Sequence, residues 1–538
     1  MSRVERIRDR RRSVTFLACL AALSLQTSAS RSSALDHRAT RTRRVPEEYP
    51  TIQQAINVCG AGDTVLVAPG TYFERIHYLG KSIVVRSEAG AEETVLDGEY
   101  VGTVVTFGEG SDTTTVFEGF TVTRGGRIGA ELTSGVELLG ASGEIVGNVF
   151  RENGTDAPDA PLIWANSAGY PSILVKLMDN TIRMNRVSPA VAYFSVSGTI
   201  IIEGNRFTRN EIVASTKRVI RAGSPASLTM RDNLFSNNPG SAVYVRRCYE
   251  VDISGNWFHG IGYRKIDLHN CFARIHGNIV CHTESGVSLI RGSAFRGQHN
   301  LFIDLISYAV SQDGSGSRLE NNIITGSRIG LTHDFDSAAY SVHSDFWGNE
   351  ADYDDWAHET GITFHLNPQF TAPAHHDFRL LPTSPLIDMG AELGLPGTIG
   401  PAPDIGPFEF EYTEPATAEI DLALGERRFS PGDTLNYTLT LTGALPPDDP
   451  LVRRDAWVEL TGKRRHGVLA KRAAIPIRPD GLQSIEGSAA IPDDLPLGPY
   501  RVKARWGLFG SSIEASDLVD VEIVRAGRAF GREPDTER

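Results

Sequence analysis

The side chains best suited to chemistry lie in the middle of the chain and recur at one position of a repeat. Counting nine residues back from the last four repeat asparagines and from Asp345 reaches a polar side chain each time: Arg247, His269, Arg291, Asp313 and Asp336. Three further polar residues lie near this position: Lys265, Asp267 and His333. Equivalent positions of a stacked repeat form a column on one face of the molecule. The sequence therefore predicts a polar column that an extended ligand could contact.

This column contains the groups that a polyuronate lyase requires. Such an enzyme needs a cation beside the substrate carboxylate and a base that removes the C5 proton. Arg247 and Arg291 are the candidate cations, and Lys265 or His269 is the candidate base. The other members are candidate substrate-binding residues: Asp267, Asp313, His333 and Asp336. The alternative is a solvated outer face, because outward positions of a folded chain are commonly charged.

A second acidic cluster, in the segment SDFWGNEADYDDW, could bind calcium. Asp352, Asp354 and Asp355 bring carboxylate oxygens together in a short turn. Calcium prefers several oxygen ligands of this kind. The alternative is a solvated turn of the last regular coil. No other metal site and no organic cofactor is predicted.

A repeated unit of the form GNxF positions these side chains. The spacing of its asparagines falls from 32 residues to a constant 22, and they are Asn148, Asn180, Asn205, Asn233, Asn256, Asn278, Asn300 and Asn322. A 22-residue segment of short apolar strands cannot bury its apolar face alone and must stack on its neighbours. This pattern predicts an all-β fold, a right-handed parallel β-helix, in which the asparagine amides hydrogen-bond from coil to coil.

Two of the four cysteines after residue 30 occupy the same repeat position. Cys248 and Cys271 each follow their repeat asparagine by 15 residues, which places them on adjacent coils. Their separation would be close to what a disulfide tolerates. A disulfide and a stacked pair of free buried thiols both remain open.

The ends of the chain differ in pattern from the repeat. Residues 1–29 combine a basic start, a short apolar run and a small-residue cleavage pattern, which predicts a secretion signal and an extracellular, periplasmic or cell-surface location. Residues 46–412 are assigned to the β-helix with an N-terminal helical cap, and its last irregular coils and closing cap begin near Asn367. Residues 415–525 alternate like an antiparallel, immunoglobulin-like β-sandwich, and residues 526–538 resemble a disordered tail.

Charge and hydropathy limit the partners of the chain. Its formal net charge is −13 and it lacks basic runs, which argues against nucleic acid as a partner. No segment after the signal is long and apolar enough for a membrane span. We expect a monomer.

Two segments carry a resemblance to a known superfamily. The start, GDTVLVAPGTYFERI (62–76) after TIQQAI (51–56), and the end, from NPQF (367–370) to PDIGPFE (403–409), resemble secreted right-handed β-helix proteins of the pectin-lyase-like superfamily. The resemblance covers about two thirds of the chain and implies the fold. Gly70, Tyr72 and Glu74 also match the opening of pectin methylesterases, but the aspartate and arginine motifs of those enzymes are missing. We therefore expect Tyr72 and Glu74 to support the first coil.

Two functions remain open at this point. A long parallel sheet surface suits a polymer, so the first is binding, with cleavage or modification, of an extended and acidic polysaccharide by a lyase or related enzyme. The second is a non-catalytic cell-surface or matrix adhesin, or a structural protein. The polar column favours the first, and the lack of a complete catalytic motif favours the second.

Overall fold

The computed structural model describes most of the chain after residue 39. The described residues are 40–126, 135–154, 160–167, 169–170, 172–260, 262–333, 338–354, 361–394, 397–410, 419–442, 453–476, 482–508 and 512–525. The predicted signal peptide and C-terminal tail lie outside them, as do Asp336 and Asp355. No helix among the described residues is long and apolar enough to cross a membrane.

Three parallel sheets run along the molecule, and each coil contributes one strand to each sheet in the order A, B, C. Sheet A contains β1 (Thr42–Val45), β2 (Thr64–Val67), β5 (Val84–Ser87), β8 (Val116–Glu118), β11 (Gly143–Val146), β14 (Leu174–Met178), β18 (Thr199–Glu203), β22 (Ser227–Arg231), β25 (Val251–Ser254), β28 (Phe272–His276), β31 (Ala294–Gln298), β34 (Gly316–Glu320) and β37 (Ala338–Val342). Sheet B contains β3 (Gly70–Tyr72), β6 (Thr94–Asp97), β9 (Thr121–Thr123), β12 (Val149–Arg151), β15 (Thr181–Arg183), β19 (Arg206–Thr208), β23 (Leu234–Ser236), β26 (Trp257–His259), β29 (Ile279–Cys281), β32 (Leu301–Ile303), β35 (Ile323–Thr325), β38 (Ser344–Trp347) and β40 (Thr363–Phe364). Sheet C contains β4 (Ile76–His77), β7 (Val105–Phe107), β10 (Val136–Leu139), β13 (Ile163–Asn166), β17 (Ala190–Ser195), β21 (Arg218–Gly223), β24 (Ser241–Arg246), β27 (Arg264–His269), β30 (Ser285–Ile290), β33 (Tyr308–Asp313), β36 (Ile329–His333) and β39 (Ala351–Tyr353). A small separate sheet pairs β16 (Arg186–Val187) with β20 (Glu211–Ile212).

The repeat sequence accounts for the interior of these coils. The residue two positions after each repeat asparagine points inward, so Phe207, Phe235 and Phe258 stack with ring centroids 4.8 and 5.0 Å apart. The apolar residue three positions before the asparagine is buried on sheet A, as Ile202 and Ile253 show. Because both positions repeat in every coil, one continuous core runs along the axis.

The repeat asparagines form the predicted ladder in the turn between sheets A and B. Asn256 Oδ1, for example, accepts from both the backbone N–H and the side-chain amide of Asn233, at 3.0 and 2.8 Å. The Asn256 amide in turn donates to Met230 O at 3.0 Å. A second ladder, in the turn between sheets B and C, comprises Asn153, Asn185, Asn210 and Asn238. The two ladders satisfy buried turn groups that strand pairing leaves without partners.

A short helix covers the first coil. α1 (Ile52–Val58) buries Ile52 and Ile56, and Thr51 caps its N-terminus. The Glu74 carboxylate accepts the backbone N–H groups of Ile52 and Gln53 at 3.0 and 3.1 Å. The Tyr72 hydroxyl donates to Ala68 O at 2.9 Å. Tyr72 and Glu74 thus hold the first coil and its helix together, as the sequence suggested.

Cys248 and Cys271 are free and buried. The Sγ atoms lie near backbone carbonyls, at 3.4 Å from Glu250 O and 3.3 Å from His269 O. Burial is the main cause that raises the pKa of Cys248, to about 11, and of Cys271. Of the two alternatives, the structure has the pair of free thiols.

The segment after the last coil does not add further coils, contrary to the expectation from sequence. β40 extends sheet B, and residues 365–410 (the closing segment) then pack along the outer face of sheet B. This segment includes the hairpin of β41 (Phe370–Ala372) and β42 (Asp377–Leu380) around a 3-10 turn, η1 (Pro373–His375). Its apolar residues cover Ile279, Leu301 and Ile323, which point outward and would otherwise face water.

Two further sheets, mainly antiparallel, follow the closing segment and share one hydrophobic core. The first contains β43 (Glu419–Leu424), β45 (Thr434–Thr442) and β48 (Leu482–Ala490), and the second contains β44 (Arg428–Phe429), β46 (Arg453–Gly462), β47 (His466–Pro476), β49 (Gly498–Leu508) and β50 (Ser512–Ile523). We refer to them as the C-terminal sheets. Trp457 and Ile513 of these sheets pack against the closing segment.

Candidate functional site

The outer face of sheet C carries a column of aromatic and charged side chains that the sequence did not reveal. The strand register aligns one outward residue from each coil, in the order Trp164, Tyr193, Arg221, Tyr244 and Asp267. Parallel strands lie about 4.8 Å apart, so these side chains follow one another at that interval. The first four members are partly exposed. We call these five residues the outer column.

Arginine side chains lie over the aromatic rings of this column. The Arg221 guanidinium is 4.5 Å from the Tyr193 ring centroid, and the Arg218 guanidinium is 3.8 Å from that of Tyr244. Burial lowers the pKa of Arg218, the main effect, although Tyr244 acts in the opposite direction. A guanidinium still remains protonated at neutral pH. The face therefore combines flat apolar rings with fixed positive charge.

A histidine and an aspartate lie at one end of the outer column. His269 Nε2 is 3.0 Å from Asp267 Oδ1, and the His269 ring centroid is 4.9 Å from that of Tyr244. Arg264 lies 3.8 Å from the same Asp267 oxygen. The pair satisfies one geometric requirement of general acid–base chemistry, a base oriented by a carboxylate.

Lys265, the other candidate base, does not belong to this face. Its side chain is buried, and its ammonium group lies beside Gly262 in the turn between sheets B and C. Burial lowers the pKa of Lys265 to about 8, against a smaller opposing effect of Cys281. Arg264 and Ile266 pair with the next coil while Lys265 does not. The equivalent Ala242 of the preceding coil is also buried, so Lys265 occupies a repeat position that faces away from solvent.

The predicted column separates into two neighbouring columns. The register pairs Arg246 with His269 and Ile290 with Asp313, so Arg247 and Arg291 are one residue further along. Both arginines are exposed in the turn after sheet C and have a positive φ of 55°. Arg246 and Ile290 precede the next repeat asparagine by ten residues, whereas His269 and Asp313 precede it by nine. Counting back from the next asparagine therefore mixes two positions.

The remaining substrate-binding candidates extend beyond the outer column. Asp313 is exposed at the end of β33, two coils after His269 in the same column. His333 pairs in register with Gln312 and is partly exposed. Asp336 lies outside the described residues. Roles for Arg247, Arg291, Asp313 and His333 stay predictions.

In the acidic segment predicted to bind calcium, the described candidate carboxylates already have partners within the protein. The Asp352 carboxylate accepts from Asn349 Nδ2 and faces His365 Nδ1, each at 3.0 Å. Asp354 is hydrogen-bonded to Thr332. Calcium would have to displace these donors, and Asp355 is not among the described residues. A calcium site here stays a prediction.

A second surface with exposed aromatic residues lies on sheet A. Tyr249 and Phe272 are more than half exposed, and their ring centroids are 5.6 Å apart. With Arg274 and Arg296 they line a shallow groove of about 570 Å³. This groove provides an internal comparison for the outer column.

The comparisons with known proteins agree with the fold. Residues 161–329 match the family model described as "Right handed beta helix region". Together with the three parallel sheets, this match confirms the class inferred from sequence. Over residues 161–329 the chain is similar to right-handed β-helix proteins, and its three parallel sheets have that architecture.

Individual proteins add nothing to this classification. No curated protein matches the chain. The sporulation control protein Spo0M from Bacillus subtilis is similar at 16% identity over 20% of this chain and 50% of its own, with a TM-score of 0.16. A β-glucosidase from Listeria innocua in complex with isofagomine is similar at 12% identity over 23% of this chain and 19% of its own, with a TM-score of 0.17. This chain thus spans half or less of each of these structures.

Proposed function

We propose that the outer face of sheet C binds an extended, anionic polysaccharide that runs across the strands, along the axis of the β-helix. The observation that carries the proposal is the register of Trp164, Tyr193, Arg221 and Tyr244, which presents rings and a guanidinium at successive coils. Aromatic faces pack on apolar faces of sugars, and arginine pairs with carboxylates or sulfates. A predicted secretion signal at residues 1–29 supports a polymer outside the cell as the ligand.

The charge distribution favours an acidic polymer over a neutral one. Arg218, Arg221, Arg246 and Arg264 lie on or beside this face, although the whole chain has a formal net charge of −13. A local positive strip on an acidic protein discourages binding elsewhere and steers an anionic chain to one surface.

Binding should be measured by isothermal titration and affinity electrophoresis with polygalacturonate, alginate and a neutral glucan, each at low and high salt. We expect the acidic polymers to bind, and we expect salt to lower their affinity. The double variant Tyr193→Ala/Tyr244→Ala should weaken binding at least about tenfold, which corresponds to about 1.4 kcal/mol.

Two control variants make this test specific. Tyr340→Ala removes an aromatic side chain that is 57% exposed on sheet A, and it should leave affinity unchanged. Phe272→Ala disrupts the groove on sheet A. If Phe272→Ala weakens binding while the double variant does not, the polymer binds sheet A and the proposed surface is wrong. If no acidic polymer binds at low salt, the proposed function itself is wrong.

The pair of Asp267 and His269 supports a second candidate function, cleavage by β-elimination. Because His269 Nε2 faces Asp267, Nδ1 is the nitrogen that can take the C5 proton of a bound uronate. The electron pair of the C5–H bond then forms a C4=C5 double bond, the C4–O bond breaks, and the departing oxygen takes a proton from water, which leaves an unsaturated sugar end. His269→Ala should abolish the ultraviolet absorbance of such ends and retain binding. Binding without any unsaturated product from the wild-type protein would exclude this second function and leave the first intact.

A further inference from the structure

Three histidines from distant parts of the chain meet at the edge of sheet B. His259 ends β26, His282 follows β29 on the next coil, and His376 comes from the closing segment. One ligand atom from each lies within 4.8 Å of the other two. The ring centroids are 4.8 to 5.7 Å apart. None of these residues belongs to the outer column.

The backbone aims these three side chains at one point. His282 and His376 both have left-handed backbone conformations, with φ of 51° and 61°. His376 follows η1, so the hairpin of the closing segment holds it over the sheet. Trp257 and Phe378 pack beside it, with ring centroids 6.1 Å from that of His376. The residue after a sheet B strand has a positive φ in other coils too, as at Asn237 and Asp304, so the regular turn places His282 here.

The hydrogen bonding of the cluster suits a cation. A neutral imidazole is the form that binds metal. His376 Nδ1 is buried and has no hydrogen-bond partner among the described residues. Such an orphaned nitrogen costs free energy unless something binds it.

The carboxylate of Asp304 lies beside His282, next to the histidine cluster. Asp304 Oδ2 lies 3.4 Å from His282 Nε2. Metal-binding histidines commonly pair their second ring nitrogen with a carboxylate, which fixes the ring and increases its basicity. Nε2 of His282 thus faces Asp304, and Nδ1 remains as the ligand atom.

We propose that His259, His282 and His376 bind a divalent first-row transition metal ion of the imidazole-preferring class, with zinc as its representative. Zinc–nitrogen bonds of about 2.0–2.1 Å in a tetrahedron place the nitrogens about 3.3 Å apart. Side-chain rotation brings atoms already within 4.8 Å to that separation. The set lacks thiolates and has one outer carboxylate, which suits zinc, copper or nickel over calcium.

The metal would connect the closing segment to two successive coils. His376 is the only ligand from the closing segment, and His259 and His282 belong to neighbouring coils. An ion bound by all three stabilises the packed position of the hairpin, because binding to the folded state adds to stability by mass action. The Lys265 ammonium near His259 opposes the cation, and Asp304 near His282 favours it.

The test is titration of tag-free, chelator-treated protein with Co²⁺, followed by absorption of visible light, and with Zn²⁺, followed by thermal unfolding. We expect one equivalent of Co²⁺ with the absorption of a four-coordinate site. One equivalent of Zn²⁺ should raise the midpoint of thermal unfolding. His376→Ala and His282→Ala should each lower the affinity at least about tenfold.

His375→Ala is the matched control, because His375 is exposed and immediately precedes His376. It should bind metal like the wild-type protein. If His376→Ala fails to fold, the result for His282→Ala tests the proposal instead. The His282 side chain is 41% exposed, so we expect the fold to tolerate its removal. Equal metal affinity in the wild-type protein and in His282→Ala, or loss of binding in His375→Ala alone, would overturn the proposal. Wild-type protein that binds no Co²⁺ would also overturn it, whatever the result for polysaccharide.

Discussion

The outer faces of sheets B and C are built on the same coils but have opposite environments. On sheet C, the outer column leaves Tyr193 and Tyr244 partly exposed. On sheet B, the equivalent outward column is polar in early coils, with Thr181 and Arg206, and apolar in late coils, with Leu301. The late part is buried under the closing segment. Inward residues therefore determine the fold, and outward residues decide whether a face stays open or is covered.

This difference is strongest within one column of sheet B. Thr181 lies on an uncovered coil, and Leu301, at the equivalent position five coils later, is fully buried. Leu301→Asp places an unpaired charge under the closing segment and should cost about 4 kcal/mol or more of unfolding free energy. Thr181→Asp should cost less than about 1 kcal/mol. Urea unfolding curves of both variants test the contrast.

Equal effects of the two substitutions would mean that the closing segment does not cover Leu301 in solution. Should Leu301→Asp not fold, Leu301→Ala replaces it. That variant should cost about 2–5 kcal/mol, because it leaves a cavity in a closely packed interface.

The contact of the closing segment with the C-terminal sheets depends on buried charges. Asp388 lies 3.7 Å from Arg505 and accepts a hydrogen bond from Ser516 at 3.0 Å. Asp388→Ala should cost about 2–3 kcal/mol, since it removes a carboxylate beside the buried Arg505, which also pairs with Glu459 at 3.0 Å. Asp520→Ala is the control: it removes the ion pair between Arg501 and the exposed Asp520, and it should cost less than about 1 kcal/mol. Thermal unfolding of both variants measures the difference.

Lys503 makes the covered region sensitive to pH. Burial, followed by the nearby Arg505, lowers its pKa to about 7, and its ammonium donates to Pro385 O at 3.2 Å. Between pH 7 and the usual lysine value near 10.4, the unfolded chain binds more protons than the folded chain. The free energy of unfolding should therefore rise with pH in this window, by at most about 1.4 kcal/mol per pH unit.

Lys503→Met provides the comparison for this pH effect. Urea unfolding at successive pH values from neutral to alkaline should give a steeper rise for the wild-type protein than for this variant. Parallel curves would show that Lys503 titrates normally in the folded state, and the assignment of the pH effect to it would then be wrong.

The fold was predictable because its signal repeats, whereas the outer column was not. Each asparagine of the ladder precedes an inward apolar residue by two positions, as Asn256 precedes Phe258. The same pair therefore marks each coil of the ladder in the sequence. The outer column has no such period, because its successive residues are unevenly spaced in the sequence. The spacing is 29 residues from Trp164 to Tyr193, then 28 to Arg221 and 23 to Tyr244. Turns of variable length separate these residues from the ladder.

Two features that sequence reasoning misplaced or missed have different physical origins. Grouping His269 with Arg291 failed because a change of one residue in a turn shifts every side chain to a neighbouring position. His376 is 94 residues after His282, in a segment that folds back across the sheet. No spacing rule connects residues that a return of the chain brings together, so the histidine cluster was invisible in the sequence.

We expect the smallest effect on stability for a substitution on the open face of sheet C. Such a substitution tests directly whether this face serves binding and not the fold. Arg221 lies over the Tyr193 ring at 4.5 Å and is partly exposed. Arg221→Gln should lower the free energy of unfolding by less than about 1 kcal/mol, because exposed cation–π contacts contribute about 0.5–1 kcal/mol. Its affinity for an acidic polysaccharide should fall, and the dependence of that affinity on salt should become weaker, because one charge–charge contact is lost.

Arg221→Lys separates charge from shape on this face. Lysine keeps the charge but loses the planar group that lies over Tyr193 and pairs with carboxylates at two points. If the open face binds through both properties, Arg221→Lys should restore the salt dependence of the wild-type protein and only part of its affinity. Full recovery of affinity would show that charge alone holds the polymer, so the ring of Tyr193 would then serve the fold and not the ligand.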